Sequence, residues 1–273
     1  MLRKLIRYEF LATGRIFLPL YGAFLVMSFI LRGFMEMQSA WRIEMEGVMN
    51  LLAVIPITLY VCLFIATVVG SVLVAIQRFY KNLMSEEGYL MFTLPVKPRQ
   101  LVLSKLFAAM VWSIASAVVC IVSIMILAFT PETFEAIGHA WNELVQAFYL
   151  QGFSLNFLIV LEVILTILAE LAYLYMSIYA AVAATNFVNR HRVWMGIGAY
   201  IIINTVTQIL STLLTIGQWM VFEGNVMGLF VTEQVQEGYI HGLLWQSIIM
   251  SLVLSAALFF GTNWVLKKKL NLS

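Results

Sequence analysis

The chain has 273 residues, of which 62% are hydrophobic and only 11% are charged, and its formal net charge is +2. Because charged residues make up about a quarter of an average soluble protein, this composition excludes a soluble globular protein and indicates an integral membrane protein. The two cysteines, Cys62 and Cys120, both lie within apolar runs, so we do not expect a disulfide scaffold.

The chain begins with an amphipathic segment, residues 1–14. Its apolar side chains fall on one stripe of a helix and its basic side chains lie elsewhere, so we expect an interfacial helix that lies flat on the membrane surface. An apolar run over residues 16–34 then predicts the first membrane span, and a run over residues 51–77 predicts the second.

The longest charged interruption of the chain, residues 78–100, separates the second and third spans. Within it Ser85 is a suitable helix N-cap, and the carboxylates that follow suit the positive end of a helix dipole. A loop that only joins two helices needs no such turn. We therefore predict a short coupling helix that docks on a soluble partner, although a solvated turn is the simpler alternative. The predicted docking residues are Ser85, Glu86, Glu87, Gly88, Tyr89 and Leu90.

The third span is expected to start at Pro98, because a helix tolerates proline at its first position and no strong breaker follows before Pro131. At 1.5 Å per residue this helix would be about 48 Å long, whereas the hydrocarbon core of a bilayer is about 30 Å thick. Its first turns should therefore project from the membrane beside the docking turn.

The second half of the chain predicts three more spans. An exposed segment with room for a short surface helix comes first, over residues 131–153. The spans follow over residues 154–185, 194–216 and 242–266. The segment between the last two, residues 217–241, is too apolar for a free loop and too broken to span, so we expect a partly re-entrant external segment. The predicted fold is an all-α integral membrane protein with six transmembrane helices in one domain, residues 1–273.

The distribution of lysine and arginine predicts the orientation. Fourteen of the 16 lie before the first span, between the second and third, between the fourth and fifth, or after the sixth. The positive-inside rule assigns these segments, and with them both termini, to the cytoplasm.

The sequence lacks motifs that would indicate catalysis or metal binding by this chain alone. No G-x-x-x-x-G-K-[ST] phosphate loop and no H-E-x-x-H helix occurs, and the three histidines lie in predicted loops or at span edges. We therefore expect neither catalysis nor a metal site.

Polar residues inside the predicted spans are the other candidates for function. A charged side chain at mid-bilayer costs about 2.5–3.5 kcal/mol, so such residues usually face a bundle interior or a water-filled cavity. Glu162 and Glu170 are about 80° apart around one helix, and one broad face could present both. They could line a translocation path or a proton-linked site, or they could hold helices together by hydrogen bonds. The candidates are Glu162 and Glu170 in the fourth span, and Asn204 and Gln208 in the fifth.

These features together resemble the type-2 ABC transporter permeases, the ABC-2 class. The stretches MLRKLIRYEFLATGRIFLPLYG and EEGYLMFTLPVKPRQLVLSKL are similar to permease subunits of Gram-positive bacteria. The resemblance implies a pair of permease subunits, identical or homologous, in the bacterial cell membrane. Each would sit on a separate ATPase subunit that binds ATP and Mg²⁺, with residues 85–90 as the coupling helix. It also implies export of an antibiotic, peptide or lipid-like substrate, and it gives no reason to expect a nucleic-acid partner.

Two other classes of function remain open at this point. A secondary transporter coupled to protons or ions would use Glu162 and Glu170, but such proteins usually show inverted repeats, and none is evident. A membrane scaffold or sensor that transports nothing would explain the docking loop but not the polar residues of the fourth and fifth spans.

Overall fold

The structure is a computed structural model, and it describes residues 2–41, 48–84, 98–128, 130–150, 153–187, 191–226 and 233–268. Almost all of these residues are helical. The helices are α1 (Leu2–Trp41), α2 (Val48–Met84), α3 (Pro98–Ala128), α4 (Pro131–Leu150), α5 (Phe153–Ala184), α6 (Arg192–Val226) and α7 (Glu233–Lys268), and a 3₁₀ turn (Thr185–Phe187) extends α5.

Within these ranges six helices are long and apolar enough to cross a membrane, and they are α1, α2, α3, α5, α6 and α7. The prediction of an all-α, multi-pass membrane protein is therefore confirmed. The predicted start of the third span is also confirmed, because α3 begins at Pro98. Large apolar side chains are exposed along all six helices, as expected where lipid replaces water as the solvent.

The N-terminal part of the chain differs from the expectation. Residues 1–14 were predicted as a helix separate from the first span, but α1 continues without a break from Leu2 to Trp41. Gly14 lies within this helix, where a methyl group in place of its hydrogen would approach the Trp112 ring to 3.2 Å. The close approach of the Trp112 ring thus explains why a glycine occupies position 14. The interfacial position of the first turns of α1 stays a prediction.

The helices on either side of residues 217–241 are longer than the predicted spans. Helix α6 continues to Val226 and α7 already starts at Glu233, so the described parts of this segment extend the flanking helices. Two contacts join these extensions: Gln218 Nε2 donates to the carbonyl of Gly242 at 3.2 Å, and the rings of Phe222 and Tyr239 lie 4.6 Å apart. Re-entry of this segment into the membrane stays a prediction.

The helices group into two compact units, the first comprising Met1–Gln77 and Phe107–Ala147. In this unit α1 and α3 run parallel in a constant register. The hydroxyls of Tyr21 and Ser116 share a hydrogen bond of 2.6 Å, and those of Ser28 and Ser123 share one of 2.7 Å. Both pairs are separated by 95 residues, and the pairs themselves are seven residues apart. This is the spacing of helices that cross at a shallow angle.

The same unit ends in helix α4, which lies where a short helix was expected, and its position at the membrane surface stays a prediction. Thr130 caps it, because its hydroxyl accepts a hydrogen bond from the Thr133 backbone N–H at 3.1 Å. Phe134, Ile137 and Trp141 lie on one stripe of α4 and are more than half exposed.

The second unit comprises Arg78–Leu106 and Phe148–Ser273. Helices α5 and α7 run parallel within it, because Glu162 bonds to Trp245 and, further along both helices, Glu170 bonds to Ser251. Helix α6 runs antiparallel to both. These directions are the ones expected for consecutive spans of one chain.

Candidate functional site

A group of polar residues on α5, α6 and α7 lies near the midpoints of three candidate spans. Those spans are Phe157–Phe187, Arg192–Phe222 and Gly238–Lys267. The polar residues at this depth include Glu170 and Tyr173 on α5, Asn204, Thr207 and Gln208 on α6, and Ser251 on α7. Three of the four residues predicted for the translocation path therefore lie at mid-depth.

Glu170 has the one carboxylate of this group, and its side chain is exposed. Ser251 donates a hydrogen bond from Oγ to Glu170 Oε1 at 2.6 Å. Among the described residues this is the only hydrogen bond that Glu170 makes, and no cationic side chain pairs with it. An exposed carboxylate at this depth needs water, a proton or a cation beside it.

Tyr173 connects α5 to α6 one turn further along. Its buried hydroxyl donates to Thr207 Oγ1 at 2.8 Å and lies 3.5 Å from Asn204 Oδ1. Asn204 in turn donates from Nδ2 to the carbonyl of Tyr200 at 2.9 Å. Asn204 therefore helps to hold the two helices together, whereas Gln208 is exposed on α6.

Glu162 lies nearer the start of α5, and it is 6% exposed. Its carboxylate accepts a hydrogen bond from Trp245 Nε1 at 2.9 Å and contacts His241 Nδ1 at 2.6 Å. Because these three side chains satisfy one another, the interpretation of Glu162 as a residue that holds helices together is the one that the contacts favour. Both glutamates bond to α7, in agreement with the single broad face that their spacing predicts.

His241 and Trp245 are site residues that the sequence did not single out. They are four residues apart, so they lie on the same face of α7. Two hydrogen-bonding side chains at this spacing are the sequence signal that could have suggested partners for Glu162. Among the described residues no group of potential ligands could hold a metal ion.

At the opposite end of the same unit, the end of α2 packs against the end of α5 and the start of α3. The rings of Phe79 and Tyr179 stack with centroids 4.2 Å apart and an interplanar angle of 10°. The Tyr179 hydroxyl donates to the carbonyl of Lys105 at 3.3 Å. Arg99 lies over the ring of Phe260 on α7, 5.8 Å from its centroid. The ends of α2, α5 and α7 and the start of α3 therefore meet here.

In the sequence, the predicted docking turn lies between the end of α2 and the start of α3. Residues Ser85, Glu86, Glu87, Gly88, Tyr89 and Leu90 all lie outside the described residues, so their conformation stays a prediction. Of the longer segment 78–100, the described parts are the last turns of α2 and the first residues of α3.

Arg32, in the first unit, links α1 to α3 beyond the Ser28–Ser123 pair. Its Nη1 donates to the carbonyl of Leu127 at 3.1 Å, and its Nε and Nη2 donate to Glu36 Oε1 at 2.9 and 2.6 Å. A cation at the last carbonyls of α3 also suits the helix dipole. Beside these side chains is an open groove of about 400 Å³, lined otherwise by apolar residues.

Comparison of the chain with protein-family models, with curated proteins and with solved structures gave no match.

Proposed function

We propose that this protein is the membrane-spanning permease subunit of a transporter that is driven by a separate ATPase subunit. The observation that carries the proposal is the mid-depth polar group on α5, α6 and α7, with the exposed carboxylate of Glu170 among apolar surfaces. A protein that only anchors or senses has no need of a carboxylate at this depth. A passage for a substrate requires polar groups there.

Energy for transport would come from the partner chain, because the sequence has no phosphate loop. We propose that residues 85–90 dock on the ATPase from the cytoplasm. A displacement of this turn would pass into the flanking ends of α2 and α3. From there the Phe79–Tyr179 stack and the Tyr179–Lys105 hydrogen bond lead into α5, the helix that carries Glu170.

Lys105 supports this role of α3, because it lies in the first turns of the helix, next to the predicted docking turn in the sequence. Its side chain is only 4% exposed. The base of α3 is therefore packed within its unit, and packed interfaces transmit small displacements because protein interiors are hardly compressible.

We further propose that two permease subunits, identical or homologous, enclose the passage in the bacterial cell membrane, with both termini in the cytoplasm. No residue in the candidate span of α6 is buried, and Thr205, Gln208 and Thr212 are exposed on it. Polar side chains on a span usually face a neighbouring helix or water rather than lipid. A second subunit would supply that neighbour, and the substrate would be amphipathic or hydrophobic.

A secondary transporter that uses Glu162 and Glu170 is the second candidate function. Glu162 is occupied by His241 and Trp245, which leaves Glu170 as the one coupling carboxylate of the pair. The ABC permease is therefore the better supported of the two.

Co-expression with a candidate ATPase subunit, followed by affinity purification through the permease, tests the proposal. We expect a stable complex whose transport stops when the catalytic glutamate of the ATPase is replaced. Transport by the purified permease in the presence of a proton gradient and the absence of ATP would contradict the proposal and favour the second candidate.

A further inference from the structure

Glu170 is exposed at mid-depth and has no charged partner among the described residues. Ser251 bonds to Oε1, and no hydrogen bond joins Oε2 to any described residue. Tyr173, three residues further along α5, donates its hydroxyl hydrogen bond to Thr207. The remaining polar groups at this depth are amides and hydroxyls, which are neutral.

Comparison with Glu162 indicates that Glu170 does more than hold two helices together. Glu162 is on the same helix, is buried, and has both carboxylate oxygens in contact with α7. Eight residues later Glu170 bonds to the same helix with one oxygen only and leaves the other accessible. A purely structural glutamate would be expected to have the contacts of Glu162.

The surroundings of Glu170 favour an organic cation over a metal ion. Ca²⁺ takes six to eight oxygen ligands and Mg²⁺ takes six, whereas this site offers one carboxylate and a few hydroxyls. The residue one turn before Glu170, Ile167, is 53% exposed and provides apolar contact area. A carboxylate next to an apolar surface matches a molecule with a single positive charge on an apolar body.

We propose that Glu170 binds the cationic group of the transported substrate, which is therefore a lipophilic cation such as an amphipathic amine. This inference rests on the proposed transport function. Pairing with the substrate neutralises the carboxylate within the membrane, where an isolated charge is costly and an opposite charge is attracted strongly. Ser251 positions the carboxylate by fixing one of its oxygens.

Binding of two probes of nearly equal size and opposite charge tests the proposal without an ATPase. Tetraphenylphosphonium and tetraphenylborate would be titrated into the purified full chain in nanodiscs of zwitterionic lipid, with tryptophan fluorescence as the readout. We expect saturable binding of the cation and only partitioning of the anion. Equal binding of the two probes would overturn the proposal.

Substitutions of Glu170 test whether this residue is the one that binds the cation. We expect Glu170→Gln to weaken binding of tetraphenylphosphonium at least tenfold and Glu170→Asp to retain most of it. Glu143→Gln is the matched control, because it removes the same charge from the exposed helix α4, and we expect it to bind like the parent chain. Unchanged binding by a folded Glu170→Gln variant would refute the inference, as would a weakening of similar size in Glu170→Asp.

The cation-binding test can fail independently of the test of the proposed function. Loss of the ATPase complex would remove the proposed function even if the cation binds. Failure of cation binding in a chain that still forms the complex would remove only this assignment of substrate. If titration with acid alone reproduces the fluorescence change and the cation adds nothing, Glu170 binds a proton and the inference is wrong.

Discussion

The ring of Tyr179 stacks face to face on that of Phe79, and its hydroxyl reaches across to the carbonyl of Lys105. One side chain of α5 thereby contacts both helices that flank the predicted docking turn. We expect this contact to be needed for stability as well as for coupling.

Phe79→Ala should destabilise the protein by about 3–5 kcal/mol, because it removes a fully buried aromatic ring and leaves a cavity beside Tyr179. Tyr179→Phe is the matched control. It keeps the ring and removes one hydrogen bond, so we expect a loss of about 1 kcal/mol. Equilibrium unfolding of the purified protein in mixed micelles would measure both. Equal losses would contradict the stacking interpretation.

Replacement of Glu86 and Glu87 by lysine should leave membrane insertion intact and lower the transport-coupled ATPase activity of the complex. Reversal of both charges removes the electrostatic match to a partner surface without altering any apolar span. The matched control is Glu135→Lys with Glu143→Lys, two charge reversals on the exposed helix α4. Normal coupling in the Glu86 and Glu87 variant would remove the docking role of this turn.

Glu162→Ala should destabilise the protein by about 3 kcal/mol, because a hydrogen bond to a charged group contributes about 1.5–3 kcal/mol and Glu162 has two partners. Glu170→Ala removes a single bond at an exposed position, and we expect about 1 kcal/mol. Unfolding in mixed micelles again gives the comparison. If Glu170→Ala were the more destabilising of the two, the structural role assigned to Glu162 would be wrong.

Asn263→Leu should stabilise the protein by about 1–3 kcal/mol. Asn263 is 3% exposed, and within the described residues neither atom of its amide has a hydrogen-bond partner. A buried unpaired polar group carries its full desolvation cost, and leucine has the same number of side-chain heavy atoms without that cost. The shift of the thermal unfolding midpoint is the measurement, with Asn204→Leu as the control that should be destabilising because its amide is bonded.

The orientation can be tested with single cysteines in a chain whose Cys62 and Cys120 are replaced by alanine. We expect Trp141→Cys to react with a membrane-impermeant maleimide in intact cells, because Trp141 is 64% exposed on a predicted external helix. Tyr89→Cys should react only after lysis. Labelling of Tyr89→Cys in intact cells would reverse the orientation and exclude docking from the cytoplasm.

The sequence predicted those features that depend on local composition. Apolar runs long enough to cross a bilayer define six spans, and the position of Pro98 predicts the start of α3 because proline is tolerated there. The short helix expected within residues 131–153 is also present, as α4.

Features that depend on tertiary packing were missed or misplaced. Residues 1–14 were expected as a separate helix and residues 217–241 as a broken segment, but α1 runs on from Leu2 to Trp41, α6 continues to Val226 and α7 begins at Glu233. The partners of Glu162 lie 79 and 83 residues away. Spacing within α5 shows which face Glu162 occupies, but only the register of α5 against α7 determines that His241 and Trp245 meet it.

The constant separation of 95 residues between bonded positions of α1 and α3 has an evolutionary consequence. Insertions in the loops between these helices would leave the hydroxyl pairs aligned, because each helix keeps its own phase. A single residue added between Ser116 and Ser123 would rotate Ser123 by about 100° relative to Ser116, so Ser28 and Tyr21 could not both keep their partners. Related chains should therefore vary in length within their loops and accept an insertion inside this stretch of α3 only when α1 has gained the same number of residues, because each added residue also moves Ser123 by about 1.5 Å along the helix axis.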